Sequence, residues 1–364
     1  MYSERGTQIR MLLRDGQILN VGGPAANQAD GRKHAVSSSQ QRVSTASLVL
    51  AFAAIYLIWG STYLAIRYAV ESIPPLLMMA ARHFTAGSLL YAWLRFRGTP
   101  APIRIHWRNA AIAGGLFFLG SHGTLAWAEQ KVPSGLAALL CATLPLWIVV
   151  LSPFMGKKRN LSRKVIAGLV LGFIGVAVLI GPTAFHSQGG LSLLGAAVVL
   201  LASLLWAVGT MYTQRAGLPS SSSLSSAMQM MTGGVLLCVV GLMTGEAGRL
   251  HLSAVTLKSG LALAYLTIFG SLVAFTAFTW LHQVSSPTRN STYAYVNPVV
   301  AVFVGWLFAG EAVSIMTLVA TAIILSGVAL VNRAEREPMH EHPASDHQES
   351  RRRSGEPEYS AAAD

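Results

Sequence analysis

Arg82, His122, Glu129 and Asn297 stand inside or at the ends of apolar stretches in a chain of 364 residues, and their types set what chemistry it can do. A guanidinium in such a run faces a bundle interior or a watery path, since arginine near a membrane-helix centre costs roughly 2.5–3.5 kcal/mol on insertion scales. Arg82 lies about a turn and a half into its run, which lowers that figure. Glu129 either partners Arg82 or Arg67, or receives a substrate amine or a proton. Arg67, near a helix end, reads as a side chain that snorkels to the interface. His122 sits between small residues in Gly120-Ser-His-Gly123, where an imidazole binds substrate, titrates near neutral pH or hydrogen-bonds a neighbouring helix. His83 beside Arg82 is a lesser candidate of the same kind. Asn297 precedes Pro298, and its amide serves the carbonyl that the proline leaves open, a substrate, or a satisfied kink.

Aromatic residues accompany these groups. Trp59, Trp127, Trp206 and Trp280 recur near corresponding positions of two halves, and Tyr293 lies on the turn before Asn297. In a cavity such rings bind planar or cationic ligands without strict hydrogen-bond readout. Tryptophan is equally ordinary at bilayer interfaces, which suits Trp93 and Trp107. Pro145 and Pro298 each fall within an apolar run; with one laid on the other, Gln130 falls on Gln283 and Glu129 on His282. Two corresponding proline-broken segments, expected here at Pro145 and Pro298, mark a transporter's substrate site. Cys141 and Cys238 lack metal or redox spacing and read as packing residues. His340, His342 and His347 fall in a charged tail and read as solvated, so no metal or cofactor is expected.

The elements that must position these groups follow from hydropathy. The chain is 52% hydrophobic and 12% charged, with a mean hydropathy of +0.49, a composition that excludes a soluble globule. The formal charge of +12 falls between and beyond apolar segments, without the basic and aromatic groove of a nucleic-acid binder. About ten segments approach the roughly 20 residues needed to span a bilayer: Leu48 to Val70, Leu76 to Phe96, Asn109 to Glu129, Pro133 to Phe154, Lys164 to Ile180, Leu191 to Tyr212, Ser225 to Thr244, Leu257 to Leu281, Pro287 to Ala309 and Val313 to Val331. Gly181-Pro182 and Gln188-Gly-Gly190 separate the fifth from the sixth. Residues 1–46 and 333–364 are polar and are expected to be disordered tails. Residues 47–181 and 190–332 are expected to form two five-helix repeats. Basic residues before the first helix, after the second, after the fourth and after the tenth all fall on one side, so both termini are expected in the cytoplasm of a multi-pass protein of the inner (plasma) membrane. Five helices per half is an odd number, which inverts the second half relative to the first. The fold expected is therefore all-α integral membrane, with ten transmembrane helices as two inverted five-helix repeats.

Tyr56-Leu-Ile-Trp-Gly-Ser-Thr-Tyr-Leu-Ala-Ile-Arg67, Pro74-Pro75, Arg82-His83-Phe84, Pro133-Ser-Gly-Leu-Ala-Ala-Leu139 and Asn297-Pro298 resemble the ten-helix EamA type of the drug/metabolite transporter superfamily, closest to its YedA-like inner-membrane exporter group. The resemblance covers about residues 48–331 and implies an exporter of small metabolites or drug-like molecules, with a cavity between the halves. Thr62 and Tyr63 join the candidate substrate-binding residues on this ground. Small four-helix relatives use a glutamate in helix 1; Trp59-Gly-Ser-Thr-Tyr63 has no acid, so their coupling does not carry over and facilitated export stays open. No Gly-x-x-x-x-Gly-Lys-Ser/Thr stretch occurs, which argues against ATP-driven pumping by this chain. The expected partners are a small-molecule substrate and the bilayer, with no nucleic acid, in a monomer or weak homodimer. A channel, or an intramembrane lipid-modifying enzyme, is the alternative; against the enzyme, Glu71, Glu246 and Glu311 scatter over short connections.

Overall fold

The computed structural model describes residues 9–12, 18–21, 44–155, 162–184, 192–285 and 292–334. The run Gln188–Gly190, Lys157 to Arg159, residues 287–291 and the chain beyond Ala334 lie outside the described residues, as do the side chains of His282 and Gln283. Met1–Arg42 is a unit of its own. Within the extension expected to lack order, strands β1 (Ile9–Leu12) and β2 (Ile18–Val21) pair antiparallel, Ile9 opposite Val21 and Leu12 opposite Ile18. These strands are the departure from all-helical structure among the described residues.

Among its described residues the second unit is built of helices joined by short turns. Its elements are α1 (Thr45–Ala69), α2 (Pro75–Phe96), α3 (Arg104–Gly114), α4 (Thr124–Ala128), α5 (Ser134–Cys141), α6 (Leu144–Leu151), α7 (Arg163–Ala184), α8 (Leu193–Thr213), α9 (Ser222–Met243), α10 (Glu246–Arg249), α11 (Leu257–Tyr265), α12 (Ala274–Val284), α13 (Tyr293–Ala309) and α14 (Ile315–Ala334). Prolines and hydroxyls start them. Pro75 occupies the first turn of α2, where its missing N–H loses nothing, and Ser192, Ser221 and Thr256 cap α8, α9 and α11 by accepting from backbone N–H groups. Gly245 and Gly310 end α9 and α13 in the left-handed region, φ +76° and +62°, which other residues adopt only with strain.

Among the described residues seven helices are long and apolar enough to cross a membrane. Three expected spans fall short of that measure for identifiable reasons. Arg82, His83 and Arg95 dilute α2. The stretch from Arg104 to Ala128 is split by a π-helical segment, and α13 has only 17 residues. Outward-facing Leu57, Leu89, Val170, Phe303 and Trp306 are each more than half exposed, a surface stable against acyl chains rather than water.

The two prolines behave differently. Ala142 and Thr143 form a turn between α5 and α6, and Pro145 sits in the first turn of the second piece, so the span is interrupted there. Pro298, expected to break its helix, lies inside an uninterrupted α13. Its missing N–H leaves the Ala294 carbonyl without its usual helical donor, and the helix nevertheless runs on past it.

Small residues set the closest approaches. α2 packs along α9 and α7 along α14, while α1 lies against α11 to α13 and α8 against α4 to α6. A Cβ on Gly87 would meet the Met231 nitrogen at 2.7 Å, and one on Gly234 the Phe84 nitrogen at 2.6 Å. The expected glycine face of α7 contacts α14: a Cβ on Gly327 would lie 2.5 Å from the Gly172 nitrogen and 2.7 Å from the Gly168 carbonyl oxygen. Both obstacles are backbone and cannot rotate away. Gly327→Ala is therefore expected to destabilise the protein by about 1–3 kcal/mol, the usual penalty for overpacking, read as a lower thermal midpoint in detergent; an unchanged midpoint would dismiss this contact as a constraint.

Candidate functional site

Two π-helical segments organise the middle of the second unit. Gly115–Gly123 joins α3 to α4, and Leu266–Val273 joins α11 to α12. Both contain a Gly-Ser pair, Gly120-Ser121 and Gly270-Ser271, the one sequence signal that could have located them. A π-turn shifts the hydrogen-bond ladder and recurs at functional sites. Here the Ala274 N–H donates to the Phe269 carbonyl rather than to the Gly270 carbonyl. Trp59 Nε1 donates to that carbonyl at 3.1 Å. In the first segment the Thr124 N–H reaches the Ser121 carbonyl, and the Thr124 hydroxyl donates to the Gly120 carbonyl instead.

The Arg82-His83 pair of α2 spans both segments. Arg82 Nε donates to Ser271 Oγ at 3.0 Å. His83 Nε2 and His122 Nδ1 share a hydrogen bond of 3.0 Å. His122 stacks on Trp206 with centroids 4.9 Å apart, Phe118 covers His83 at 4.2 Å, and Phe117 packs on Trp206. Adjacent residues of one helix thus reach to opposite sides, because side chains one position apart on a helix point about 100° apart. The sequence marked Arg82, His83, His122 and Trp206 but not Ser271, Phe117 or Phe118.

A second aromatic group surrounds Trp59, whose ring lies 4.9 Å from Phe278 and 5.5 Å, edge-on, from Tyr293. Thr62 is buried, with its hydroxyl on the Trp59 carbonyl. Tyr63 and Cys141 both pack against the main core cluster, as expected of the cysteine. Asn297 is buried with Oδ1 lacking a partner, and its carbonyl lies close to Gly60 of α1. Trp280 packs against the small cluster of Ala51, Ile55 and Leu281, as do Trp59, Phe278 and Tyr293. Trp127 stands apart: it is 37% exposed, with Lys131 over its ring at 5.9 Å.

Glu129 is 2% exposed, and neither carboxylate oxygen has a hydrogen-bond partner. Arg67 and Arg82 act on it electrostatically, yet neither makes an ion pair with it. Arg67 pairs with Glu311 instead, which corrects the expected choice of partners. Glu311 also accepts from Ser134 N and Oγ at 2.8 and 2.7 Å and from Gly135 N at 2.9 Å, so it caps the N-terminus of α5. Glu246 likewise accepts from Leu77 N at 2.9 Å and caps α2. In both cases a left-handed glycine turns the chain and the next residue is the capping glutamate. Burial alone would raise the Glu311 carboxyl; the N–H of Gly135, the hydroxyl and N–H of Ser134 and the Arg67 guanidinium outweigh it and hold its pKa below the ordinary value. Lys258 pairs with Glu71, and the Tyr68 hydroxyl donates to the Phe308 carbonyl at 2.6 Å, at the same end of the bundle. No cluster of metal-ligating residues occurs among the described residues.

The model of the EamA-like transporter family matches twice, over residues 46–181 and 193–333. The uncharacterised inner membrane transporter YedA of Escherichia coli (strain K12) is 39% identical over 282 residues, covering 76% of this chain and 88% of YedA. The uncharacterised transporter YoaV of Bacillus subtilis is 26% identical, covering 77% of this chain and 95% of YoaV. Protein PecM of Dickeya dadantii is 28% identical, with coverages of 75% and 88%. A solved crystal structure aligns with a TM-score of 0.56 at 22% identity over 80% of this chain and 99% of its own, a likeness of fold alone.

Proposed function

Because the chain belongs to the EamA-like transporter family, we propose that it exports small metabolites (amino acids or their analogues) or drug-like molecules across the inner (plasma) membrane as a secondary transporter working by alternating access. The proposed architecture is ten membrane helices in two inverted five-helix repeats, with both termini cytoplasmic, in a monomer or weak homodimer.

The observation that carries the reading is how the halves exchange partners. α2 lies along α9 and α7 along α14, which hold corresponding places in the two matched segments; α1 leans on α11 to α13, and α8 on α4 to α6. Matching π-turns at Gly120 and Gly270 fall in corresponding helices. An exchange of this form favours two bodies that rock about a shared mid-membrane site. Substrate would meet Trp59, Thr62, Tyr63, Arg82, His122, Glu129, Trp206, Trp280, Tyr293 and Asn297, with the more exposed Trp127 toward the end of the path. The end tied by Arg67–Glu311, Leu77–Glu246 and Lys258–Glu71 would be the outer one, closed in this conformation.

Purified protein in vesicles preloaded with a mixture of amino acids, their analogues and cationic dyes is expected to drive saturable, competable counterflow of at least one of them. Ohmic current without saturation would support a channel instead. Labelling of single cysteines placed in the two tails is expected to find both on the cytoplasmic side, and a split between faces would dismiss the inverted repeat.

A further inference from the structure

Resting on the transporter reading, we infer that Arg82 anchors a carboxylate of the substrate, so that the counter-ion of this buried guanidinium arrives with the molecule carried. Arg82 is 4% exposed and sits in a helix with no acidic residue. A guanidinium has five N–H donors. Nε uses its one on Ser271. Nη1 meets only the Met79 thioether, at 3.9 Å, a weak acceptor. No described residue accepts from Nη2, and beside it stands Gly270, on which a Cβ would lie 3.2 Å from that nitrogen. The absence of a side chain there lets the backbone approach Nη2 closely, and any added Cβ would crowd that edge of the fork.

A structural arginine buried this deeply is ordinarily matched by carbonyls or a carboxylate, because an uncompensated buried charge is strongly unfavourable. Arg82 makes no ion pair with a described carboxylate. Glu129 acts on it electrostatically without touching it, and Glu129 is itself unpartnered. Two parallel N–H groups on one edge fit a planar carboxylate in bidentate fashion. A phosphate dianion would ask for a second cation. None is at hand: Arg67 is held by Glu311, and His83 and His122 bond each other beneath Trp206 and Phe118. The site therefore suits a monoanion. Gly270 links it to Trp59, whose N–H holds the Gly270 carbonyl and whose ring faces Phe278 and Tyr293. An apolar or aromatic body on the acid would lie against those rings.

The test uses a matched set of probes, 3-phenylpropionate, 3-phenylpropionamide and 3-phenylpropylamine, with acetate as the small member. Binding to the purified full chain is read by tryptophan fluorescence and by thermal shift. The wild type is expected to bind the aromatic carboxylate saturably and at least tenfold more tightly than the amide or the amine. Arg82→Lys should weaken that binding about tenfold and Arg82→Gln should remove the preference, with the amide binding unchanged. Gly270→Ala keeps the charge but crowds Nη2, and should weaken the carboxylate several-fold; it serves if Arg82→Gln does not fold. Equal binding of acid and amide by the wild type, no binding of either carboxylate, or an unaltered preference in Arg82→Gln would overturn the inference. Counterflow separates the two readings: flux of neutral or cationic solutes that is indifferent to Arg82→Gln leaves a transporter without this anchor, and absence of counterflow for every solute removes the transporter reading itself.

Discussion

Glu311→Ala is expected to destabilise the protein by about 3 kcal/mol, the low end of the range for breaking a buried ion pair. The lower end applies because the Arg67 side chain is 35% exposed and solvent screens part of its charge. The loss has three sources: an unpaired guanidinium, two backbone N–H groups at the start of α5 without acceptor, and a lost Ser134 hydroxyl bond. Glu311→Gln keeps one acceptor oxygen and should lose less. The pH dependence has a definite sign. The folded-state pKa is depressed below the ordinary 4.5, so the stabilisation is complete above that ordinary value and disappears as pH falls through the lower folded-state value. Thermal midpoints of wild type and Glu311→Gln in detergent should thus differ at pH 7 and converge in acid. Under alternating access the same variant should shift the protein toward the form open at this end, measured as faster modification of a cysteine introduced at Ser72. A midpoint difference that persists unchanged in acid would show that the carboxylate charge is not what holds α5.

Trp59→Ala is expected to have the largest effect on transport. The indole packs between Phe278 and Tyr293 and donates to the Gly270 carbonyl within the π-turn. Its removal leaves a cavity and takes away that hydrogen bond at once, for about 3 kcal/mol or more. Trp59→Phe separates the two losses: a ring remains, and only the N–H is gone, with the one hydrogen bond it makes. If the indole N–H fixes the π-turn, the phenylalanine variant should lose flux for all substrates alike. If the ring face selects substrate, Trp59→Ala should change the ranking of substrates while Trp59→Phe preserves it. Identical rankings and flux in all three proteins would remove Trp59 from the site.

The aromatic and charged candidates were legible in the sequence to different depths. Arg82 and Glu129 stand out because charge is rare inside apolar runs; of the two roles the sequence leaves open for Glu129, an ion pair with Arg67 or Arg82 is not formed. Arg67 is 244 positions from Glu311 and Arg82 is 189 from Ser271, and no periodicity links residues so far apart. His83 ranked low because nothing local distinguishes it from an interface histidine; its bond to His122 depends on how α2 crosses the first π-turn. Spacing along a helix gives no depth: Trp127 is 37% exposed beneath Lys131, whereas Trp280 packs on the same small cluster as Trp59. Pro298 matches Pro145 in the sequence of the two halves, but only the structure shows that one span is interrupted while the other runs on as helix.

By itself the sequence determined the helical membrane class, the approximate place of each apolar segment and the family, because insertion into lipid depends on hydrophobicity summed over windows of about 20 residues, a local quantity. Only the tertiary structure decided where the hydrogen-bond ladder slips into π-turns, which glutamate caps which helix, and which buried charges go without a partner. Those outcomes depend on close contacts across helix interfaces, where a difference of about 1 Å separates a bond from an open donor, and on small residues whose effect is felt in the opposite helix rather than in their own.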